Sequence, residues 1–136
     1  MNNVIYESKL ARLVYRISQC HTIMLFGFVF SKLSKQEMTQ ATRNHECTHA
    51  RQWLEMTFVS CLLVAILGMF VDMNVLWVLL CMVVYYVWYL VEWCVKWCIY
   101  GDDAYYNLSF EREANLARFD SNYLENSGCF GWVKMI

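Results

Sequence analysis

Residues 57–91 read TFVSCLLVAILGMFVDMNVLWVLLCMVVYYVWYLV, and this stretch decides the fold class. Its one charged residue, Asp72, separates uncharged runs of fifteen and seventeen residues. A bilayer-crossing helix needs about 20 apolar residues, and the flanking tryptophans can extend each run. We therefore predict a mainly α integral membrane protein built on a two-span helical hairpin. The alternative is a soluble buried hairpin, which a chain of 136 residues has little surface to cover.

Composition and charge favour the membrane. Hydrophobic residues make up 59% of the chain and charged residues only 17%, against a usual quarter. All eleven Lys and Arg lie outside the turn of the hairpin, so the positive-inside rule predicts cytoplasmic termini. The net charge is −1 without a dense basic cluster, which argues against nucleic acid as a partner. The lipid bilayer is the predicted partner, and the short spans allow a homo-oligomer.

The rest of the chain divides around the hairpin into one domain, 1–136. A capping box at Ser34 and Glu37 predicts the start of a long helix. The predicted elements are an interfacial amphipathic helix (1–20), a strand-like or re-entrant segment (21–33), a helix that continues into the first span (34–71), the second span (75–100), a loop (101–107), a cytoplasmic helix capped by Ser109 (109–124) and an irregular tail.

Residues 45–49 read HECTH. On a helix His45 and His49 share one face, so both rings can bind a single ion. Glu46 points slightly aside, where it can act as the general base toward a water activated by the metal. This is the H-E-x-x-H arrangement of zinc hydrolases. With three His and eight Glu in 136 residues, chance gives it in roughly four per thousand shuffled chains. Zn²⁺ is the predicted cofactor.

A third protein ligand is predicted in EREAN, residues 111–115. Glu111 and Asn115 lie four apart and would face the metal helix together, with Glu111 as ligand and Asn115 as hydrogen-bond partner of a histidine ring. Glu113 competes if the register slips, although it faces away when Glu111 faces in. His21 is a further option from the strand-like segment.

Two tyrosines follow the second span, Tyr105 and Tyr106. Either phenol could donate a hydrogen bond to an oxyanion formed during peptide hydrolysis. The other interpretation is an aromatic belt at the membrane interface, where tyrosine is common.

The order of these motifs resembles a known family. HECTH followed by a membrane hairpin and then EREAN is similar to the gluzincin membrane metallopeptidases of the HtpX and CAAX prenyl-protease type and of the antirepressor-sensor type, in which H-E-x-x-H is followed by hydrophobic spans and E-x-x-A-D. It also resembles small bacterial membrane proteins with the pattern NHE-x-x-H-x-R-Q. The resemblance covers residues 44–117, and this chain has Asn115 where the family usually has Asp.

The resemblance implies a ligand set and a location. His45, His49 and Glu111 would be zinc ligands and Glu46 the general base, at the cytoplasmic face of a bacterial inner membrane. We therefore predict a zinc-dependent membrane endopeptidase, a hydrolase acting on a peptide or a membrane-protein segment.

Two other functions stay open. Glu46 to His49 is also an E-x-x-H motif, half of a di-iron carboxylate site, with Glu111 and Glu113 as further ligands. Such sites expect a second E-x-x-H, which the sequence lacks. The other alternative is a non-catalytic membrane scaffold or immunity-type protein with a residual metal site. The presence of Glu46 argues against it, because a site that no longer catalyses does not need a general base.

Overall fold

A long helical hairpin forms the centre of the molecule. The computed structural model describes residues 4–18 and 20–136. In chain order the elements are β1 (Val4–Ile5), α1 (Lys9–Ser18), β2 (Thr22–Leu25), β3 (Phe28–Ser31), α2 (Gln40–Leu67), α3 (Val75–Tyr100), a 3₁₀ helix (Gly101–Asn107), α4 (Ser109–Phe119), α5 (Tyr123–Asn126) and a second 3₁₀ helix (Gly131–Met135). The predicted mainly helical class is confirmed.

Helices α2 and α3 are each long and apolar enough to cross a membrane. Their uncharged parts, residues 57–71 and 75–91, carry mostly exposed apolar side chains, with Phe58 69% exposed. The first half of α2 is different, because several of its polar residues, among them Asn44, His45 and Gln52, are buried. The helix therefore has one part that packs inside the protein and another whose apolar surface faces outward.

Helix α2 begins later than the sequence predicted. Ser34 and Glu37 do exchange capping hydrogen bonds, with Ser34 N donating to Glu37 Oε2 at 2.8 Å, but they close an isolated turn. The backbone of Thr39 is extended, at φ −68° and ψ 153°, and its hydroxyl accepts from Thr42 N at 3.2 Å. Thr39 is therefore the N-cap, and the predicted 34–71 helix is shortened to Gln40–Leu67.

The strand-like segment 21–33 is a β-hairpin rather than one strand. Strands β2 and β3 are antiparallel and β1 joins β3 in parallel, giving the order β1-β3-β2. Phe26 and Gly27 form the connecting turn with φ values of 49° and 78°, as a two-residue hairpin turn requires. Gly27 also lies against Trp53, whose ring would be 2.8 Å from a Cβ at that position. Tight turn and close approach together demand glycine.

The predicted N-terminal helix is shorter than 1–20. Residues 4–5 pair with β3, so the helical part is Lys9–Ser18. The residues 1–3 and 19 of that prediction lie outside the described residues. Leu13 and Ile17 on α1 are exposed, which leaves the interfacial role of this helix as a prediction.

The C-terminal region also differs from the prediction. The expected loop 101–107 is a 3₁₀ helix, and α4 ends at Phe119 because Asp120 is extended. Ser109 does not cap α4: its hydroxyl donates to Glu92 Oε2 at 2.6 Å and its backbone N–H to Glu92 Oε1 at 2.8 Å. The carboxylate of Glu92 thus supplies the acceptor that the start of α4 needs.

A buried aromatic cluster fixes α4 and the C-terminal tail against the hairpin. It consists of Trp53, Tyr85, Phe110 and Trp132. Phe110 stacks on Tyr85 with ring centroids 4.7 Å apart and meets Trp132 edge-on at 4.8 Å. The tail, which the sequence predicted as irregular, therefore helps to hold α4 beside the first half of α2.

Candidate metal centre

Helices α2 and α4 bring the three predicted ligands together in a buried group that could hold a metal ion. The Nε2 atoms of His45 and His49 are 3.2 Å apart. Glu111 Oε2 lies 3.5 Å from His45 Nε2, and Glu111 Oε1 lies 3.3 Å from His49 Nε2. Ligand atoms bound tetrahedrally to zinc at about 2.05 Å are about 3.3 Å from each other. The two histidine nitrogens are at about that spacing, and each has a different oxygen of Glu111 at a similar distance.

One oxygen of Glu111 is left without a hydrogen-bond donor. Tyr89 OH donates to Oε1 at 2.9 Å, whereas Oε2 is buried and has no hydrogen-bond partner among the residues described. Leaving a buried carboxylate oxygen unsatisfied is costly. A cation between Glu111 and the two histidines would remove that cost, so the residues present fit a metal ion.

The second nitrogen of each ring has its own partner. His49 Nδ1 lies 2.9 Å from Gln52 Oε1 and 3.3 Å from Tyr85 OH. Arg118 Nε donates to His45 Nδ1 at 3.0 Å. The Nδ1 atoms therefore contact Gln52 and Arg118, and neither contacts Asn115, which the sequence predicted as the partner of a histidine ring.

The contact with Arg118 affects the metal-binding nitrogen of His45. A guanidinium can only donate, so in this arrangement Nδ1 accepts and the hydrogen of a neutral ring stays on Nε2. Metal binding through Nε2 thus requires Arg118 to withdraw from Nδ1. The Ala114 carbonyl, a backbone acceptor beside the His45 ring, can then take the Nδ1 hydrogen.

Burial and neighbouring charge set the protonation of the group, which lies outside the uncharged parts of α2 and α3. Burial, then the charge of His49, lower the pKa of His45 to about 4. Burial alone would raise the pKa of Glu111, but hydrogen bonding and charge from His49, with the charge of His45, hold it at about 2. Burial raises the pKa of Glu46. His45 is therefore uncharged and Glu111 anionic at neutral pH, as metal ligation requires. Burial lowers the pKa of His49, but hydrogen bonding and charge from Glu111 outweigh it and raise that pKa, so a metal ion would compete with a proton at His49.

Glu46 faces a cavity of about 1050 Å³ beside the three ligands. Its Oε1 accepts a hydrogen bond from Thr22 Oγ1 at 2.5 Å. The cavity walls come from β2, α2, α3 and α4 and include Thr22, Ile23, Met24, His45, Glu46, His49, Tyr85, Tyr86, Tyr89, Leu90, Trp93, Tyr105, Glu111 and Arg118. Strand β2 lies at one edge of the sheet, so a strand edge without a strand partner in residues 4–18 and 20–136 adjoins the candidate base.

The two tyrosines singled out in the sequence differ in position. Tyr105 lines the cavity, whereas Tyr106 is 67% exposed and is not among the lining residues. Tyr105 also interacts with the Glu111 carboxylate. Tyr85 and Tyr89, which contact His49 and Glu111, were not predicted. Their signal was available, since two tyrosines four residues apart in an apolar span share one helix face.

The competing ligands lie elsewhere. Glu113 is paired with Arg51, whose Nη2 is 3.0 Å from Glu113 Oε1. His21 is exposed, lines the cavity and packs on Tyr15 with ring centroids 4.9 Å apart. Of the three options for the third ligand, the structure brings only Glu111 to the histidine pair.

Comparisons of this chain with protein-family models, with curated proteins and with solved structures gave no match. The resemblance to gluzincin membrane metallopeptidases therefore rests on the sequence motifs and stays a prediction.

Proposed function

We propose that the protein is a zinc-dependent membrane endopeptidase that hydrolyses a peptide bond at the cytoplasmic membrane surface. One observation carries the proposal. The buried Nε2 atoms of His45 and His49 lie close to each other and to the Glu111 carboxylate, in a group that could hold one metal ion, and Glu46 faces the same cavity. Three protein ligands with an open fourth position are typical of catalytic zinc rather than structural zinc.

Zinc bound here would supply Lewis acidity, polarising the peptide carbonyl and making water more acidic. Glu46 would take a proton from the attacking water and deliver it to the leaving amine. Thr22 would keep that carboxylate pointed into the cavity through its hydrogen bond. Tyr105, which lines the cavity, is the proposed donor to the oxyanion.

The cavity suits an extended peptide. The edge of β2 away from β3 has no strand partner in residues 4–18 and 20–136, and Thr22 and Met24 on it line the cavity. An extended substrate can pair its backbone with such an edge. Leu90 and Trp93 make the adjoining wall apolar. A hydrophobic peptide or a membrane-protein segment is the substrate class we propose.

The location follows from the two long helices. Their exposed apolar surface supports insertion in a bilayer, and the basic residues on the side of the termini support a cytoplasmic site. The resemblance to bacterial metallopeptidases favours the bacterial inner membrane.

The di-iron alternative loses a ligand in this arrangement. It needs further carboxylates, and Glu113 is bound to Arg51 and Gln52 instead. No specific contact favours that function over hydrolysis.

The test uses the full chain purified in detergent, wild type beside Glu46→Gln. We expect both proteins to retain zinc and only the wild type to cleave an unfolded protein such as casein, with a loss of about 10²- to 10⁴-fold in the variant. Equal cleavage by the two proteins would overturn the role of Glu46. Zinc retention, no cleavage by either protein and an unchanged cellular effect of Glu46→Gln would instead identify a non-catalytic scaffold.

A further inference from the structure

A buried polar network lies directly behind His49. Gln52 and Glu113 are both almost completely buried, at 0% and 1% exposed. Gln52 Nε2 donates to Glu113 Oε2 at 2.7 Å and to the Phe110 carbonyl at 3.1 Å. Both partners accept hydrogen bonds, so the nitrogen of this amide must face them. Its oxygen is thereby turned toward His49 Nδ1, 2.9 Å away.

The orientation of this amide fixes the histidine ring. Because Gln52 Oε1 can only accept, His49 Nδ1 must carry the hydrogen. The lone pair of the neutral ring is then on Nε2, which faces Glu111 at 3.3 Å. The neighbouring Tyr85 hydroxyl, 3.3 Å from Nδ1, can accept as well as donate and does not oppose this state.

We infer that Gln52, oriented by Glu113, is a positioning residue that holds His49 in the tautomer competent to bind metal through Nε2. The inference rests on the proposed metal centre. The reversed amide would turn its oxygen toward the carboxylate of Glu113 and the carbonyl of Phe110, two acceptors at hydrogen-bond distance, and would present N–H groups to His49 Nδ1. The hydrogen would then move to Nε2 and block the ligand atom.

Glu113 is itself held in place from two sides. Arg51 Nη2 lies 3.0 Å from its Oε1, and Tyr123 OH donates to the same oxygen at 3.2 Å. The tail closes over this oxygen at Gly131, where a Cβ would clash with it. Glu55 is another acidic residue close to Arg51. It contacts Arg51 and Trp132, and no contact joins it to Gln52 within the described residues. Glu55→Gln is therefore a matched control for Glu113→Gln.

The first experiment measures zinc affinity by chelator competition on purified full-length protein. Gln52→Met, which removes the amide, should weaken zinc binding about 10- to 100-fold. Glu113→Gln keeps the side-chain volume but lets the amides of residues 52 and 113 both reverse, so it should weaken zinc binding about 10-fold. The zinc affinity of Glu55→Gln should stay within about twofold of wild type. Circular dichroism checks that each variant is folded. Wild-type affinity in folded Gln52→Met and Glu113→Gln proteins would overturn the inference.

The second experiment observes the ring directly in metal-free protein, by ¹⁵N NMR of labelled histidine, with the pH raised until the signals are those of a neutral His49 ring. The wild type and Glu55→Gln should show His49 with hydrogen on Nδ1, and Glu113→Gln should show a mixture. Hydrogen on Nε2 in the wild type would overturn the inference. This measurement tests the tautomer of His49 even if the wild type binds no zinc. Absence of zinc binding would overturn the proposed function but would not affect the tautomer result.

Discussion

The Thr22 hydroxyl of β2 donates a hydrogen bond of 2.5 Å to the Glu46 carboxylate of α2, across 24 residues of sequence. An edge strand of the sheet is thereby attached to the proposed base. A peptide that paired with the free edge of β2 would be aligned on the same strand that orients Glu46. Substrate binding and base orientation would then depend on one element.

Replacing Thr22 should therefore affect turnover. Thr22→Val keeps the shape of the side chain but removes the donor, and a hydrogen bond to a charged group is worth about 1.5 kcal/mol or more, which corresponds to a fall of about tenfold in kcat. Thr22→Ser keeps the hydroxyl and should stay near wild type. Steady-state kinetics on one peptide substrate measure both. A change in KM alone in Thr22→Val would contradict the positioning role.

Metal content should depend on the three ligands and not on the third histidine. His45→Ala and Glu111→Ala each remove one corner of the site, so bound zinc should fall from roughly one ion per chain to near zero. His21→Ala is the matched control, because His21 lines the same cavity but packs on Tyr15. Mass spectrometry of the purified proteins gives the stoichiometry. Zinc lost equally in His21→Ala would point to a different ligand set.

Arg118 should oppose metal binding through His45. Arg118→Ala removes the donor to His45 Nδ1, so Nε2 no longer has to keep the hydrogen, and zinc affinity should rise about threefold to tenfold. Arg112, on the same helix, donates to the Met135 carbonyl at 2.7 Å, and Arg112→Ala should leave the affinity unchanged. Chelator competition measures both, and weaker binding in Arg118→Ala would show that the guanidinium supports the site.

The two adjacent tyrosines should behave differently. If Tyr105 donates to the oxyanion, Tyr105→Phe lowers kcat about 10²-fold or more, with zinc content unchanged. Tyr106 is exposed and outside the cavity, so Tyr106→Phe should retain wild-type kinetics. Equal activity of the two variants would assign the oxyanion donor to another residue.

Alanine substitutions at two glycines with positive φ should separate the cost of backbone strain from the cost of overpacking. Gly27 and Gly101 have φ values of 78° and 59°, the ψ of Gly101 is −127°, and a side chain held in such a sparsely populated backbone region costs about 1 to 3 kcal/mol. A Cβ at Gly101 meets nothing within 4 Å, whereas at Gly27 it meets the Trp53 ring at 2.8 Å. Gly101→Ala should therefore cost about 1 to 3 kcal/mol through backbone strain alone, and Gly27→Ala should cost more, because overpacking against Trp53 adds about 1 to 3 kcal/mol. Denaturant titration in detergent followed by circular dichroism measures both, and equal losses would show that Trp53 moves aside without cost.

The sequence alone determined the features that depend on residues near one another in the chain. Two uncharged runs sufficed for two long apolar helices, because length and hydropathy are local properties. The four-residue spacing of His45 and His49 put their rings on one helix face, and the two-residue spacing of Glu111 and Glu113 sent them to opposite sides of α4, where Glu113 meets Arg51.

The tertiary structure decided the rest. Capping at Thr39 rather than Ser34 depends on where the chain leaves the sheet, and the same Ser-x-x-Glu pattern closed only a turn. The partners of the site residues come from 22 to 73 residues away: Thr22 contacts Glu46, Tyr89 contacts Glu111 and Arg118 contacts His45. Residue spacing cannot predict contacts over such sequence separations. These contacts are set by how the helices and the β-hairpin pack together and not by the order of residues along the chain.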